Sequence, residues 1–422
     1  INYNIANTTI GLTIAIFSFV IYTLTVEPTA SYWDCAEYIS TSAKLQVGHP
    51  PGAPLFQMLG AIFSIFAFEN DQIALSINMM SVTSSALTIL FLFWPISHLL
   101  KGFVSVNQNL SISQALKIFG SSSLGSLTFI FTDSFWFNAV EAEVYAMASL
   151  IMSLLFWLGL KWVDNIDHER GDKWLILICF VVGLSFGVHF MGLLTIPAIG
   201  LLYYFKKYSF SIRSFLIANV ISISVLLFIF KFLLPTTLSI FGHVEVFFVN
   251  EIGLPFNFGT AFSAVLMIFI FYFLLKKSHS KKHYLLNTIT LCITFIFIGF
   301  SSWLMIPIRS NANTVINENS PSDARSLLAY YNLEQYPDTY LFFGPMYSDI
   351  YSGQDQDEPY KDDKPKYERD YVKNKYVIVN DWKKGKLNNN KKHMGFFPRM
   401  WSSENAINYL KFSGFLKFSI KD

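Results

Sequence analysis

Two carboxylates and a histidine occur close together near the start of this chain. The stretch Trp33-Asp34-Cys35-Ala36-Glu37-Tyr38 is followed by Gly48-His49-Pro50-Pro51-Gly52-Ala53-Pro54-Leu55. A carboxylate within hydrogen-bond reach of a hydroxyl can take its proton as the oxygen attacks. Imidazole, ammonium and guanidinium groups can hold a phosphate-like anion. Asp34 and Glu37 are spaced i,i+3, so a helix puts both on one face with Thr41 and Lys44. The plainer reading is that Ser31-x-x-Asp34 is a helix-capping box and Glu37 is solvated. Pro50, Pro51 and Pro54 restrict the backbone around His49, which either donates to an anion or closes the turn. Lys44 is a candidate for phosphate or a partner for Glu37.

A second acidic cluster is Asp133-Ser134-Phe135-Trp136-Phe137-Asn138-Ala139-Val140-Glu141-Ala142-Glu143-Val144-Tyr145. On a helix, Glu141 and Glu143 diverge by about 200°, so only one readily faces a cavity. An ionised carboxylate costs up to about 2.5–3.5 kcal/mol at mid-bilayer, and two at the head of an apolar run suggest a polar cavity that Tyr145 would share. The competing reading is an interfacial first helical turn, where the dipole favours acids. His189 lies in Gly187-Val188-His189-Phe190-Met191-Gly192, between short apolar runs, as a structural or a substrate-binding group. Arg309 follows the last apolar run in Ile306-Pro307-Ile308-Arg309-Ser310-Asn311-Ala312-Asn313. Its planar fork suits bidentate phosphate binding; the alternative is an ordinary interfacial anchor. Asn311, Asn313 and Trp401, the last as a stacking platform, are candidates to complete a substrate cavity.

These residues need a scaffold, and composition says which. Of 422 residues 53% are hydrophobic and 14% charged, which marks an integral membrane protein. The charges are uneven: 17 of 31 Lys+Arg and 15 of 29 Asp+Glu fall after Pro307. The reading is a transmembrane domain over 1–305, with an outer catalytic loop at about 27–71, followed by a polar domain of mixed structure over 306–422. Apolar runs that meet or approach the roughly 20 residues a span needs lie near 8–26, 72–97, 114–132, 139–162, 174–189, 190–205, 214–234, 259–275 and 284–305. The run at 53–68 begins at a proline elbow and is short. If it stays on the outer surface, the inner loops hold Lys101, Lys161, Arg170, Lys173, Lys206, Lys207, Arg213, Lys276, Lys277, Lys281 and Lys282, and the outer loops before residue 306 hold only Lys44. That asymmetry selects nine spans with the N-terminus inside and the polar domain outside.

Cys35, Cys179 and Cys292 are scattered, with no disulfide framework and no metal-binding spacing. No basic, aromatic-interleaved patch points to nucleic acid. The first apolar run lacks a basic leader and a cleavage-type end, so it is expected to be a retained helix. The chain begins at Ile1 rather than Met, so residues are expected to precede it, and the native protein is expected to extend past Asp422.

Together, Trp33-Asp34-Cys35-Ala36-Glu37, Leu45-Gln46-Val47-Gly48-His49-Pro50-Pro51-Gly52-Ala53-Pro54, Ala139-Val140-Glu141-Ala142-Glu143-Val144-Tyr145-Ala146 and Pro307-Ile308-Arg309-Ser310-Asn311-Ala312-Asn313 resemble one family. It is the bacterial, mainly Bacteroidota-type, membrane family related to the eukaryotic TMEM-type protein O-mannosyltransferases. The resemblance implies an all-α polytopic class C glycosyltransferase fold with outer interfacial helices. It also implies transfer of a sugar, mannose or a similar hexose, from a polyprenyl-phosphate carrier to Ser/Thr of exported proteins. By that analogy Asp34 is the acceptor-side base, with Glu37 beside it, and the His49 elbow and Arg309 lie near the donor phosphate, as Lys44 and His189 could. Classical protein O-mannosyltransferases often have a lysine after the His-Pro-Pro element; here Gly52-Ala53-Pro54 stands instead. The expected setting is a bacterial inner membrane with the site facing the periplasm. Expected partners are a lipid carrier, exported acceptor proteins and the export machinery. No metal ligand set and no cofactor is expected, though a divalent metal is left open. The rivals are transfer to a lipid or polysaccharide acceptor, and a non-enzymatic transporter or scaffold. The ionisable residues cluster at the outer face and no repeat is visible, which speaks against a transporter.

Overall fold

The structure, a computed structural model, describes residues 1–104, 107–336, 340, 342–346, 353–381, 383–396, 408 and 411–412. Trp401 lies outside the described residues. Among those described, six helices are long and apolar enough to cross a membrane: Tyr3–Leu24, Asn70–Val104, Val144–Asn165, Ile212–Asn250, Phe258–Ser280 and Tyr284–Ser310. The remaining three of the nine expected spans take other forms. Residues 112–130 form a helix interrupted by a π turn at Leu116–Gly120. The run 174–189 gives Asp172–Ser185, and 190–205 gives a 3-10 turn, Phe190–Leu194, leading into Thr195–Lys207. Fourteen helical residues rise only ~21 Å, short of the roughly 30 Å hydrocarbon core. Apolar composition continues across the break at Gly187–His189 and so overstates the helix lengths.

The first four helices carry the site. Helix α1 (Tyr3–Leu24) opens on Asn2, whose side chain accepts from the Ile5 amide at 3.2 Å, and it packs against α4 (Ile73–Val104). Between them lie two short helices, α2 (Cys35–Lys44) and α3 (Pro54–Ser64). Helix α2 ends because Leu45 turns left-handed (φ 47°), and Gln46 then donates back to the Thr41 carbonyl at 2.8 Å. Helix α3 starts on Pro54, whose fixed φ suits the first helical position. Its eleven residues rise about 16 Å, too little to cross. Val144–Asn165 packs along α4, and Asp172–Ser185 along Tyr284–Phe300. That second crossing is made by Gly183 and Gly299: a Cβ on either would run into the other helix's backbone. Among membrane helices such close approach replaces the hydrophobic drive available in water.

Two buried clusters result. One gathers Phe56, Ile77, Leu155, Phe186, Trp303 and Tyr330; the other gathers Tyr22, Val82, Ile89, Phe93, Ile118 and Ile130. The chain divides into two compact units, Ile1–Gly242 with Thr260–Leu333, and His243–Gly259 with Glu334–Asp422. Among the described residues, the second unit contains three short antiparallel strand pairs: Phe343–Pro345 with Met394–Phe396, Tyr360–Lys361 with Lys386–Leu387, and Lys366–Asp370 with Lys375–Asn380. Its Asn250 exchanges two bonds with the Tyr376 backbone, at 2.8 and 2.9 Å.

Candidate functional site

The loop from α1 to α2 is held from below by Asn78 of α4. Its amide donates to the carbonyls of Glu27 (2.6 Å) and Thr29 (2.8 Å). Trp33 then takes a positive φ of 61°, which turns the chain into α2 with Asp34 as its N-cap residue. The Asp34 carboxylate makes no capping bond, so the capping-box reading fails. The Ser31 hydroxyl instead donates to Glu141 and lies 3.0 Å from Cys35 Sγ. Asp34 is left half exposed, free of the helix it begins.

His49 reaches back to this helix end. Its Nδ1 is 2.9 Å from Glu37 Oε2, its backbone N–H donates to Glu37 Oε1 at 2.6 Å, and its Nε2 stands 3.6 Å from Asp34 Oδ2. The elbow is fixed from a distant part of the chain. Gly52 has φ 62° and sits against the Tyr330 hydroxyl, which donates to the Gly48 carbonyl at 2.5 Å. A side chain at position 52 would be strained and would strike that ring. The hydrogen bond from His49, reinforced by its N–H and its charge, holds the Glu37 carboxyl below its usual range against the effect of burial. Reciprocally, Glu37 raises the His49 imidazole, helped by the charges of Asp34 and Glu143.

Glu141 and Glu143 complete the group. They do not lie on a helix, as their spacing first suggests. They occupy an irregular turn that ends where Val144–Asn165 begins, so the 200° divergence disappears. Both are buried, at 3% and 5% exposure. Both line a cavity of about 310 Å³ with Trp33, Asp34, Asn138 and Tyr145. Burial raises the Glu141 carboxyl. Glu143 is pushed up to about 7, by burial first and then by the charges of Asp34 and Glu141. The Cys35 thiol donates to Glu143 at 3.7 Å, and burial pushes it up to about 12; it is a neutral donor rather than a nucleophile.

His189 adjoins this cavity through Tyr145, ring centroids 5.4 Å apart, while its Nδ1 accepts from the Met191 amide at 3.2 Å. The neighbouring Gly187 carbonyl accepts from Leu55 (2.7 Å) and Phe56 (3.2 Å), tying this break to the start of α3. Arg309 lies elsewhere. Its Nε donates to the Leu45 carbonyl at 2.5 Å and its Nη2 to that of Lys44 at 3.3 Å, so it closes the C-terminal end of α2. The Lys44 side chain is exposed there. The Asn311 amide donates to the Pro307 and Ser322 carbonyls, both at 2.7 Å, and Asn313 takes a positive φ of 50° in the turn that follows. Neither lines the acidic cavity. Ser31, Trp33, Cys35 and Asn138 belong to the site and escaped the sequence reading. Only the short spacing from Ser31 to Asp34 could have hinted at the first.

Asp34, Glu37 and His49 each offer a ligand atom, all within 4.8 Å of one another, so a cation could be held there. Both Glu37 oxygens already serve His49, and a metal would have to break that pairing.

Residues 34–212 match the family described as the protein O-mannosyl-transferase TMEM260 N-terminal domain, and residues 337–421 match a family of unknown function, DUF8416. The chain is 27% identical over 155 residues to the protein O-mannosyl-transferase tmem260 of Dictyostelium discoideum, covering 36% of this chain and 17% of that protein. It is 25% identical over 177 residues to the protein O-mannosyl-transferase TMEM260 of Mus musculus, covering 41% and 22%. The chain thus spans about a fifth of the length of the curated relatives it matches. No solved structure matches it.

Proposed function

We propose that this chain is a multi-pass membrane O-glycosyltransferase. In this reading it moves mannose or a similar hexose from a polyprenyl phosphate to Ser/Thr hydroxyls of exported proteins. The observation that carries the reading is the acidic cavity at the head of α2. It is built from both motif stretches, and the residues that form it fall inside or beside the segment similar to the O-mannosyltransferase domain. Asp34 is the one carboxylate there that is half exposed and unused by its neighbours' backbone.

The acceptor oxygen attacks the anomeric carbon as Asp34 takes its proton. The bond from that carbon to the phosphate oxygen breaks, and the polyprenyl phosphate leaves with the electron pair. Because attack and departure lie on opposite sides of the carbon, base and phosphate grip need separate places. Helix α2 supplies two ends ~15 Å apart: Asp34 at one, Lys44 and Arg309 at the other. His49, whose imidazole Glu37 raises above its ordinary pKa, stands with Nε2 3.6 Å from Asp34 Oδ2. Glu143, near half-protonated at neutral pH, hydrogen-bonds the sugar with Glu141, Asn138 and Tyr145. Phosphate is already a competent leaving group, so the proposal needs no metal.

The accompanying topology has nine crossings, with the N-terminus inside, the acidic cavity facing the periplasm of a bacterial inner membrane, and 306–422 outside. Its support is the lysine asymmetry of the loops. Three of those crossings need the helices at 112–130, 172–185 and 195–207 to span with non-helical backbone satisfied by protein. Cysteine at the exposed Ser280 should then resist an outer-face thiol reagent while cysteine at the exposed Ser320 reacts; labelling of both would end the nine-span scheme.

The test of function uses the purified full chain with polyprenyl-phosphate mannose and a Ser/Thr peptide, followed by product mass. A peptide gaining one hexose, and none with Asp34→Asn, is the expected result. Absence of transfer to peptide, with transfer to a lipid acceptor instead, would move the chain to a different acceptor class.

A further inference from the structure

A second cavity, of about 250 Å³, lies at the opposite ends of α1 and of Val144–Asn165, some ~30 Å along those helices from the acidic site. Its setting is basic and aromatic. Trp94 and Trp157 pack at 5.6 Å between ring centroids. Lys161 Nζ stands 5.4 Å from the Trp157 centroid, and Lys101 Nζ stands 4.4 Å from that of Tyr3. The one carboxylate of the wall, Asp164, already faces His98 Nε2 at 3.3 Å. The Asn7 carbonyl oxygen is taken by the Ser97 hydroxyl.

What the wall still offers is chiefly donors: the Lys161 ammonium, the amides of Asn4 and Asn7, and the Thr8 hydroxyl. Among the described residues Lys161 and Lys101 form no ion pair with a carboxylate. A donor-rich cavity beside two unpaired ammonium groups, at the lysine-bearing end of membrane helices, fits an oxyanion with several acceptor oxygens. The two indoles would border the uncharged part of its ester.

We propose that this cavity, between the first turns of α1 and the end of Val144–Asn165, binds a phosphate ester through Lys161, Asn4 and Asn7. The source is either the headgroup of an anionic phospholipid or a soluble phosphate monoester. The site is independent of the acidic cavity and of the activity proposed for it.

The test is saturation binding to the purified full chain, read by native mass spectrometry. Its probes are dioctanoyl phosphatidylglycerol, the phosphate-free dioctanoylglycerol, and glycerol 3-phosphate. Saturable binding of a phosphate-bearing probe, but not of dioctanoylglycerol, is expected. Lys161→Gln and Asn4→Ala should each weaken it, the first by about fivefold, with unchanged melting temperature. Lys206→Gln, an exposed lysine elsewhere, should leave it intact. Preference for phosphatidylglycerol identifies a leaflet lipid, and equal or better binding of glycerol phosphate identifies a soluble ester; both support the site. Equal binding of dioctanoylglycerol, or indifference to both wall substitutions, overturns it.

Discussion

The two ends of α2 use polar side chains in opposite ways. At the N-terminal end, Asp34, Glu37, His49, Glu141 and Glu143 interact mainly through their side chains, and their surroundings lower the Glu37 carboxyl and raise the His49, Glu141 and Glu143 groups. At the C-terminal end, Arg309 gives two donors to backbone carbonyls that the helix leaves unsatisfied. In the function proposed here, the first arrangement serves proton transfer. The second is a joint between distant parts of the chain, and it can serve phosphate only with the donors the joint leaves over. A cation in the expected place is weaker grounds for a binding role than a carboxylate left without a structural one.

The sharpest way to break this contrast is Asp34→Asn. Side-chain size is kept and no capping bond is lost, so turnover should fall by about 10²–10⁴-fold with an unchanged melting temperature. Near-normal turnover would strip the N-terminal end of its chemical role.

Glu143 gives the next largest effect. Its folded-state pKa, about 7, lies above that of an unfolded glutamate, so the folded protein binds the extra proton between roughly pH 4.5 and 7. Stability therefore declines as pH rises through that window and levels off above it. Glu143→Gln should flatten the decline, a difference of up to roughly 3 kcal/mol by pH 8. Parallel melting curves for both proteins across this range would remove Glu143 from the perturbed group.

Arg309 separates joint from binding site. Arg309→Ala exposes two carbonyls and should cost about 1–3 kcal/mol of stability. If the remaining donors also grip phosphate, Arg309→Lys should raise the donor KM and lower kcat. A stability loss with untouched donor kinetics would leave it purely a joint.

Smallest is Glu37→Gln. Removing the carboxylate lets the His49 pKa fall toward its ordinary value. The alkaline limb of the kcat/KM profile should then move to lower pH, with about tenfold less activity at pH 8. An unmoved limb would mean that the His49 charge does not matter to the reaction.

How much of this could be read in the sequence depended on distance along the chain. The long apolar helices follow from composition, and Asp34 and Glu37 sharing the start of α2 follows from i,i+3 spacing. The partnership of His49 with Glu37 requires the turn at Leu45 and the elbow at Gly52, whose positive φ values no hydrophobic pattern reveals. Glu141 and Glu143 lie in an irregular turn, where a helical period does not apply and sequence spacing says nothing of their directions. The anchoring of Arg309 on a carbonyl 264 residues away has no local signature at all. The break at Gly187–His189 is also hidden, because both sides of it are apolar.

The hold of Tyr330 on the His49 elbow bears on where this protein can be cut. A fragment ending at Ser310, just past the last long apolar helix, looks like the natural membrane portion. It would lose the hydroxyl that pins Gly48 and the Ile316 backbone that pairs with Val47 and Gln46. The acids would still be present, attached to an elbow with nothing to lean on. Ending at Leu333 keeps every one of those contacts and coincides with the edge of the first compact unit. The shortest fragment worth expressing is thus 23 residues longer than hydropathy alone recommends.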